Sequence, residues 1–121
     1  MAPENDDSEN PLVTLGNALS LVFRAIGMAQ KGLEKNPSKE EERELNETLV
    51  ELERKRAEIR AKLDALIAGS RQVASPTTAQ VKKVSDLTAE VEAATNASIT
   101  ASGAVALTSR ILSLASEIAA A

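Results

Sequence analysis

Apolar residues recur at alternating steps of three and four along residues 12–33, the spacing of an α-helix that packs against other helices. Asn10 and Pro11 precede this pattern as an N-cap residue and a first-turn proline. With the other apolar residues of the segment included, the apolar arc is roughly 220° wide, more than one neighbouring helix can cover. The sequence therefore predicts a first helix over residues 11–33, placed centrally among other helices or covered by a second chain.

The segment of residues 39–64 is dominated by charge, with 16 charged residues in 26. Ser38 and Glu41 have the spacing of a capping box, and Gly69 suits the position that follows a helix. These signals predict a second helix over residues 39–68 that is largely solvated. One row of residues at steps of three and four, here called the seam, predicts the inner face of this helix. The seam consists of Leu45, Leu49, Leu52, Arg56, Ile59, Leu63 and Leu66.

The C-terminal part predicts a third helix over residues 76–120, beginning at the pair Ser75 and Pro76. A continuous helix of that length would measure about 68 Å, against about 34 Å for the first helix. Weak helix formers cluster near residues 96–103, so a kink or a split is expected there. The predicted fold is all-α: an antiparallel helical bundle of three long helices with coiled-coil-like packing, forming one domain over residues 10–121. Residues 1–9 are predicted to be a disordered acidic tail.

The side chains on which most enzyme mechanisms depend are missing from the sequence. It contains no histidine, cysteine, tyrosine or tryptophan, which removes the commonest general base, the thiol nucleophile and imidazole or thiolate metal sites. Glu40, Glu41 and Glu42 are consecutive and point to different sides of a helix, and no phosphate-binding glycine motif occurs. We predict that the protein is not an enzyme and uses neither a cofactor nor a metal.

The weakly charged flanks of the chain are the predicted partner surface. The core is almost free of aromatic residues, and the first helix has more apolar surface than two intrachain neighbours readily cover, so we expect self-association or binding to a helical partner. The candidate partner-binding residues are Leu12, Leu15, Leu19, Leu21, Val22, Phe23, Ile26, Met28, Arg56, Leu107, Ile111, Leu114 and Ile118.

Arg56 stands out because it occupies a seam position that otherwise holds apolar residues. A charge at such a site lowers stability but can specify register or partner. One hypothesis pairs Arg56 with a carboxylate of another helix, the candidates being Asp86, Glu90 and Glu92. The alternative is that the seam is exposed at this point and the arginine reaches solvent along it.

The leading functional hypothesis is a non-enzymatic protein-interaction module: an adaptor, an assembly subunit or an inhibitor. The alternative is a membrane-active or secretion-apparatus protein whose weakly charged helices rearrange on insertion. Nucleic-acid binding is disfavoured by the net charge of −4 and by acids interspersed among the bases of residues 54–62. The N-terminus lacks the features of a secretory signal, which predicts a cytoplasmic protein and leaves signal-independent secretion open.

Overall fold

The computed structural model of the protein describes residues 11–69, 76–96 and 99–120, with the side chains of residues 95 and 96 excepted. These residues form four α-helices and no β-strand: α1 (Pro11–Leu33), α2 (Lys39–Ile67), α3 (Thr78–Asn96) and α4 (Ala101–Ala120). The all-α class is confirmed, whereas the prediction of three helices is wrong. The expected break near residues 96–103 is a full division between two helices.

The ends of α2 follow the predicted signals. The Ser38 side chain accepts a hydrogen bond from the Glu41 amide at 3.0 Å, and the Glu41 carboxylate accepts one from the Ser38 amide at 2.9 Å. At the other end, Gly69 has a φ of +87°, a left-handed conformation that glycine adopts without steric cost. The capping box and the terminal glycine are therefore confirmed, although α2 ends at Ile67, one residue before the prediction.

Replacing Ser38 with alanine is expected to destabilise the protein by about 0.5–2 kcal/mol, because the Glu41 amide loses its side-chain acceptor. Ser113→Ala is the matched control: Ser113 is exposed in the interior of α4, where alanine is at least as good a helix former. Urea denaturation measures both changes. Equal stability of the two variants would contradict the role of Ser38 as a cap.

Each of the two C-terminal helices begins after a threonine N-cap. Both caps lie C-terminal to residue 76, where the third helix is predicted to begin. The Thr77 hydroxyl accepts from the Gln80 amide at 3.1 Å while the Gln80 side chain accepts from the Thr77 amide, so α3 begins at Thr78 rather than residue 76. The predicted N-cap, Ser75, lies outside the described residues, as does the predicted tail of residues 1–9. Thr100 caps α4 by accepting from the Gly103 amide at 2.9 Å. The cap at Thr100 starts a new helix, so the single helix predicted over residues 76–120 is divided into two.

Helices α1 and α4 form the centre of the fold. Each of them packs on all three other helices, whereas α2 and α3, over the described residues, do not pack on each other. The central position predicted for α1 is thus occupied, and α2 and α3 lie on opposite sides of the α1–α4 pair. Close contacts join Gly32 of α1 to both Leu45 of α2 and Ala104 of α4, and they fix the end of α1 against the starts of both helices.

The core is aliphatic throughout. Its fully buried side chains come from all four helices, and α2 contributes its seam residues Leu45, Leu52 and Ile59. On α3, three of the described side chains are likewise buried: Val84, Leu87 and Val91. The inner seam predicted for α2 therefore faces the core except at Arg56, which is exposed, and it leaves most of the charged side chains of α2 in solvent.

Candidate functional site

Most of the predicted partner-binding residues lie in the protein's own core. The monomer fold already covers them, so a partner would reach them only if the helices separated. The covered residues are Leu15, Leu21, Val22, Ile26, Met28, Leu107, Ile111, Leu114 and Ile118, and Leu19 is partly buried against the same core. Their role in partner binding stays a prediction that the fold does not test.

The accessible part of the predicted surface is the outer face of α1. Leu12 is 42% exposed and Phe23, the one phenylalanine in the chain, is 62% exposed. Val13, which the prediction left out, is also exposed on this helix. The signal that could have found it is its place one turn before Gly16 and Asn17 on the polar side of the helix.

A groove of about 550 Å³ runs beside Phe23 between α1 and α2. Its α1 wall consists of the aromatic ring, one leucine and two small residues, and its α2 wall carries two guanidinium groups and one carboxylate. The lining residues are Gly16, Leu19, Ser20, Phe23, Glu53, Arg56, Ala57 and Arg60. This open groove is mixed apolar and charged, and it can receive a side chain or a helix edge.

Arg56 lies in this groove and not against α3. Its guanidinium stands 5.9 Å from the centre of the Phe23 ring and 3.7 Å from the Glu53 carboxylate on its own helix. The hypothesis that Arg56 pairs with Asp86, Glu90 or Glu92 is wrong, because α2 and α3 lie on opposite sides of the central helix pair. The alternative fits: the seam is exposed at Arg56, and the guanidinium covers one face of an exposed aromatic ring.

All three interhelical ion pairs among the described residues join α3 to its neighbours, and sequence reasoning missed them. Arg110 of α4 binds Glu90 through two hydrogen bonds of 2.6 and 2.7 Å. The two other pairs are Arg24–Glu92 at 3.9 Å and Lys83–Glu117 at 3.4 Å. The sign of these pairs in the sequence is that α1 and α4 carry isolated charges in otherwise apolar helices. The partner of each charge is distant along the chain, so the sequence does not indicate which residue it is.

The Arg110–Glu90 pair shifts the titration of both groups. The hydrogen bonds from Arg110 hold the pKa of Glu90 below its ordinary value and outweigh burial, which raises that pKa. The hydrogen bonds to Glu90 raise the pKa of Arg110. Because the pKa of Glu90 is lower in the folded chain than in the unfolded one, the pair stabilises the fold above the unfolded pKa. That contribution is lost as the pH falls through the folded pKa.

Arg110→Gln is expected to return the pKa of Glu90 towards its ordinary value, because the charge and the paired donors that favour the carboxylate are removed. Carbon-13 NMR of the Glu90 carboxyl group during an acid titration measures the change. Arg43→Gln, in an exposed pair on α2, is the control that leaves the Glu90 titration unchanged. An unmoved titration midpoint in Arg110→Gln would show that Arg110 is not the cause of the shift.

The described residues show no arrangement typical of a metal site. They contain no group of three or more Asp, Glu, His or Cys side chains placed to hold a metal ion. Every buried side-chain nitrogen or oxygen in this part of the chain has a hydrogen-bond partner. The buried hydroxyl of Thr108, for example, donates to the carbonyl of Ala104 at 2.6 Å.

Two of the helices, Pro11–Leu33 and Ala101–Ala120, are long and apolar enough to cross a membrane by length and composition alone. They are the central pair of this fold, and the core helix of a soluble protein has the same properties. The sequence matches no protein-family model, and neither a curated protein nor a solved structure is significantly similar to it.

Proposed function

We propose that the chain is a non-enzymatic interaction module, a helical bundle that pairs with a second copy of itself through the outer face of α1. The observation that carries the proposal is the exposure of Phe23 beside the α1–α2 groove. Burial of an aromatic side chain stabilises an interface by about 1.5–3 kcal/mol, and aromatic residues are the commonest anchors of such contacts. Leu12 and Val13 extend the exposed apolar surface towards the start of α1.

Two glycines on the same face support a close contact with another chain. Glycine within a helix costs about 0.5–1 kcal/mol relative to alanine. The core explains this cost at Gly32, which Ala104 approaches closely, but a Cβ at Gly16 or Gly27 would meet no other atom within 4 Å. No neighbouring element in the described part of the monomer therefore requires these two glycines. They would allow the backbone of a second α1 to approach on either side of Phe23.

The charges along the α2 wall of the groove suit a two-fold arrangement. Glu53 and Arg60 lie at equal distances along the helix from the midpoint between Arg56 and Ala57. In a contact with two-fold symmetry about that point, Glu53 of one copy faces Arg60 of the other, and the same pair repeats on the opposite side. Across such an axis, Glu53 and Arg60 are complementary in charge.

Phe23→Ala is expected to weaken dimerisation by about tenfold or more, the equivalent of ~1.4 kcal/mol. The stability of the monomer should change by less than about 1 kcal/mol, because an exposed ring makes none of the core contacts whose loss costs ~3–5 kcal/mol. Sedimentation equilibrium across micromolar concentrations gives the association constant. Val50→Ala is the matched control, since Val50 is 59% exposed on α2 and does not line the groove.

The charge arrangement is tested by a swap. Glu53→Arg alone should weaken the dimer, and the double variant with Arg60→Glu should restore it, because the complementary pairs re-form with opposite polarity. A wild-type protein that stays monomeric throughout the concentration range contradicts the proposal. So does a Phe23→Ala variant that dimerises as well as the wild type.

A second candidate function is insertion into membranes, and the observation that favours it is the composition of α1 and α4. Both helices are apolar enough to span a bilayer, and they already pack on each other. Release of a trapped dye from lipid vesicles is the test, at neutral and acidic pH and with neutral and anionic lipid. Dye release that depends on protein concentration supports insertion, and its absence under all four conditions removes this candidate.

A further inference from the structure

Helix α3 is the least firmly anchored element of the fold. Three of its described side chains are buried, Val84, Leu87 and Val91, and its packing on α1 and α4 is less extensive than that of α2 on the same two helices. It packs on α1 and α4 alone among the described helices. A helix held by few buried contacts opens at a lower free energy than the core elements around it.

Open grooves flank α3 on both sides. The groove against α1 has a volume of about 460 Å³ and is lined largely by small and hydroxyl side chains, including Asn17, Ser20, Ser85 and Thr88. The groove against α4 has a volume of about 250 Å³, with Leu114 at its wall. Helix α3 therefore contacts α1 and α4 along a narrow apolar ridge of the α1–α4 face. The grooves on both sides of this ridge stay open.

The charges at the edges of this ridge are complementary to α3. Arg24 projects from α1 and Arg110 from α4, and they meet Glu92 and Glu90 of α3 respectively. A third pair has the opposite polarity, since Lys83 of α3 meets Glu117 of α4, and all six side chains are at least two-fifths exposed. Exposed ion pairs are screened by salt and compete with water. They therefore favour a helix with matching charges on this ridge but hold it only weakly.

We propose that the α1–α4 face beneath α3 is an exchangeable docking site for an acidic amphipathic helix of a partner protein, with α3 as its internal occupant. The required chemistry follows from α3 itself. The incoming helix needs apolar residues at the spacing of Val84, Leu87 and Val91. It also needs carboxylates that reach Arg24 and Arg110, and a basic residue that reaches Glu117. This site is separate from the contact around Phe23, so either proposal can fail without the other.

Because α3 is attached to the same chain, a free helix must compete with it before exchange can be detected. A helix attached to the same chain competes at an effective concentration on the order of millimolar, and a free helix gains access in proportion to the open fraction. The test therefore compares three states of the full chain: wild type, a form with α3 disabled, and a form with α3 locked. The probe is a fluorescent synthetic peptide of residues 76–96, followed by anisotropy at low ionic strength.

The disabled form is Leu87→Asp, which places a charge on the buried face of α3. The locked form carries Lys83→Cys and Glu117→Cys, whose native side chains meet at 3.4 Å, joined by a short bismaleimide linker. Because the natural chain contains no cysteine, the linker can attach at these two positions alone. If the disabled form loses its helix content, the comparison of wild type with the locked form still decides the question.

The expected order of peptide affinity is disabled, then wild type, then locked, with the locked form weaker than wild type by about tenfold or more. A peptide with Glu90→Lys and Glu92→Lys should bind the disabled form about tenfold more weakly at low salt. Equal affinity for all three forms overturns the proposal, as does complete absence of binding. Loss of peptide binding in Phe23→Ala would place the peptide in the α1–α2 groove and also overturn it. Vesicle binding by the unlocked forms without peptide binding would assign the exposed face to lipid instead.

Discussion

Leu52→Ala is expected to lower the free energy of unfolding by about 2–5 kcal/mol. The Leu52 side chain has no solvent exposure, and it belongs to the main cluster that α2 shares with the central helices. Removing three carbons there leaves a cavity that three packed helices cannot easily close. Since domains of this size have a total stability of about 5–15 kcal/mol, the variant should be close to the limit of folding.

Val50→Ala provides the matched control for this prediction. Both changes replace a branched aliphatic residue with alanine on α2, two positions apart, but Val50 lies on the exposed side. Its replacement should change stability by no more than about 0.5 kcal/mol. Chemical denaturation followed by circular dichroism measures both. Similar losses for the two variants would mean that the inner face of α2 is not the one that carries Leu52.

Helix ends and inner faces were predictable because they depend on local chemistry. The capping box of Ser38 and Glu41 and the left-handed Gly69 are formed by residues close in sequence, and the structure uses both. The start of α3 was predicted two residues early, although Thr77 and Gln80 carry a capping box that could have been read in the same way. Proline at residue 76 was compatible with a first turn, but the threonine cap provides the hydrogen bonds.

The arrangement of the helices was not predictable from periodicity. An apolar seam indicates which side of a helix is buried, but it does not indicate which other helix covers that side. Arg56 shows the consequence: its seam position was read correctly, and its expected carboxylate partners lie on the one helix that does not pack against α2 over the described residues. The ion pairs of Arg24 and Arg110 were missed for the same reason, since their partners are distant in sequence and adjacent only in the fold.

The same limit applies to the candidate site. The wide apolar arc of α1 was predicted to need more cover than two neighbours give, and three neighbours supply it. The division of the third predicted helix into α3 and α4 provides the additional neighbour. Over the described residues, the exposed apolar part of the predicted surface is therefore much smaller and centres on Phe23, which is 62% exposed.

The glycines of α1 offer a second pair of matched substitutions, with effects of opposite sign. A Cβ at Gly32 would lie 2.7 Å from the Cβ of Ala104 and 3.1 Å from a methyl group of Leu45. Neither neighbour can rotate away, because a Cβ has no rotamer and Leu45 is fully buried. Overpacking costs about 1–3 kcal/mol and better helix propensity returns at most ~1, so Gly32→Ala should destabilise the fold by about 1–2 kcal/mol.

At Gly27 the same change meets open space, and only the helix propensity remains. Gly27→Ala should therefore stabilise the monomer by about 0.5–1 kcal/mol when it is measured at a concentration too low for association. Ala104→Gly removes the atom that clashes with the new methyl group. Combined with Gly32→Ala, it should cost less than the sum of the two single changes. Stabilisation by both glycine replacements, or strict additivity in this cycle, would contradict the close approach of α1 and α4 at Gly32. That contact holds the end of α1 against the starts of α2 and α4, so its loss would also remove the anchor of the central helix pair.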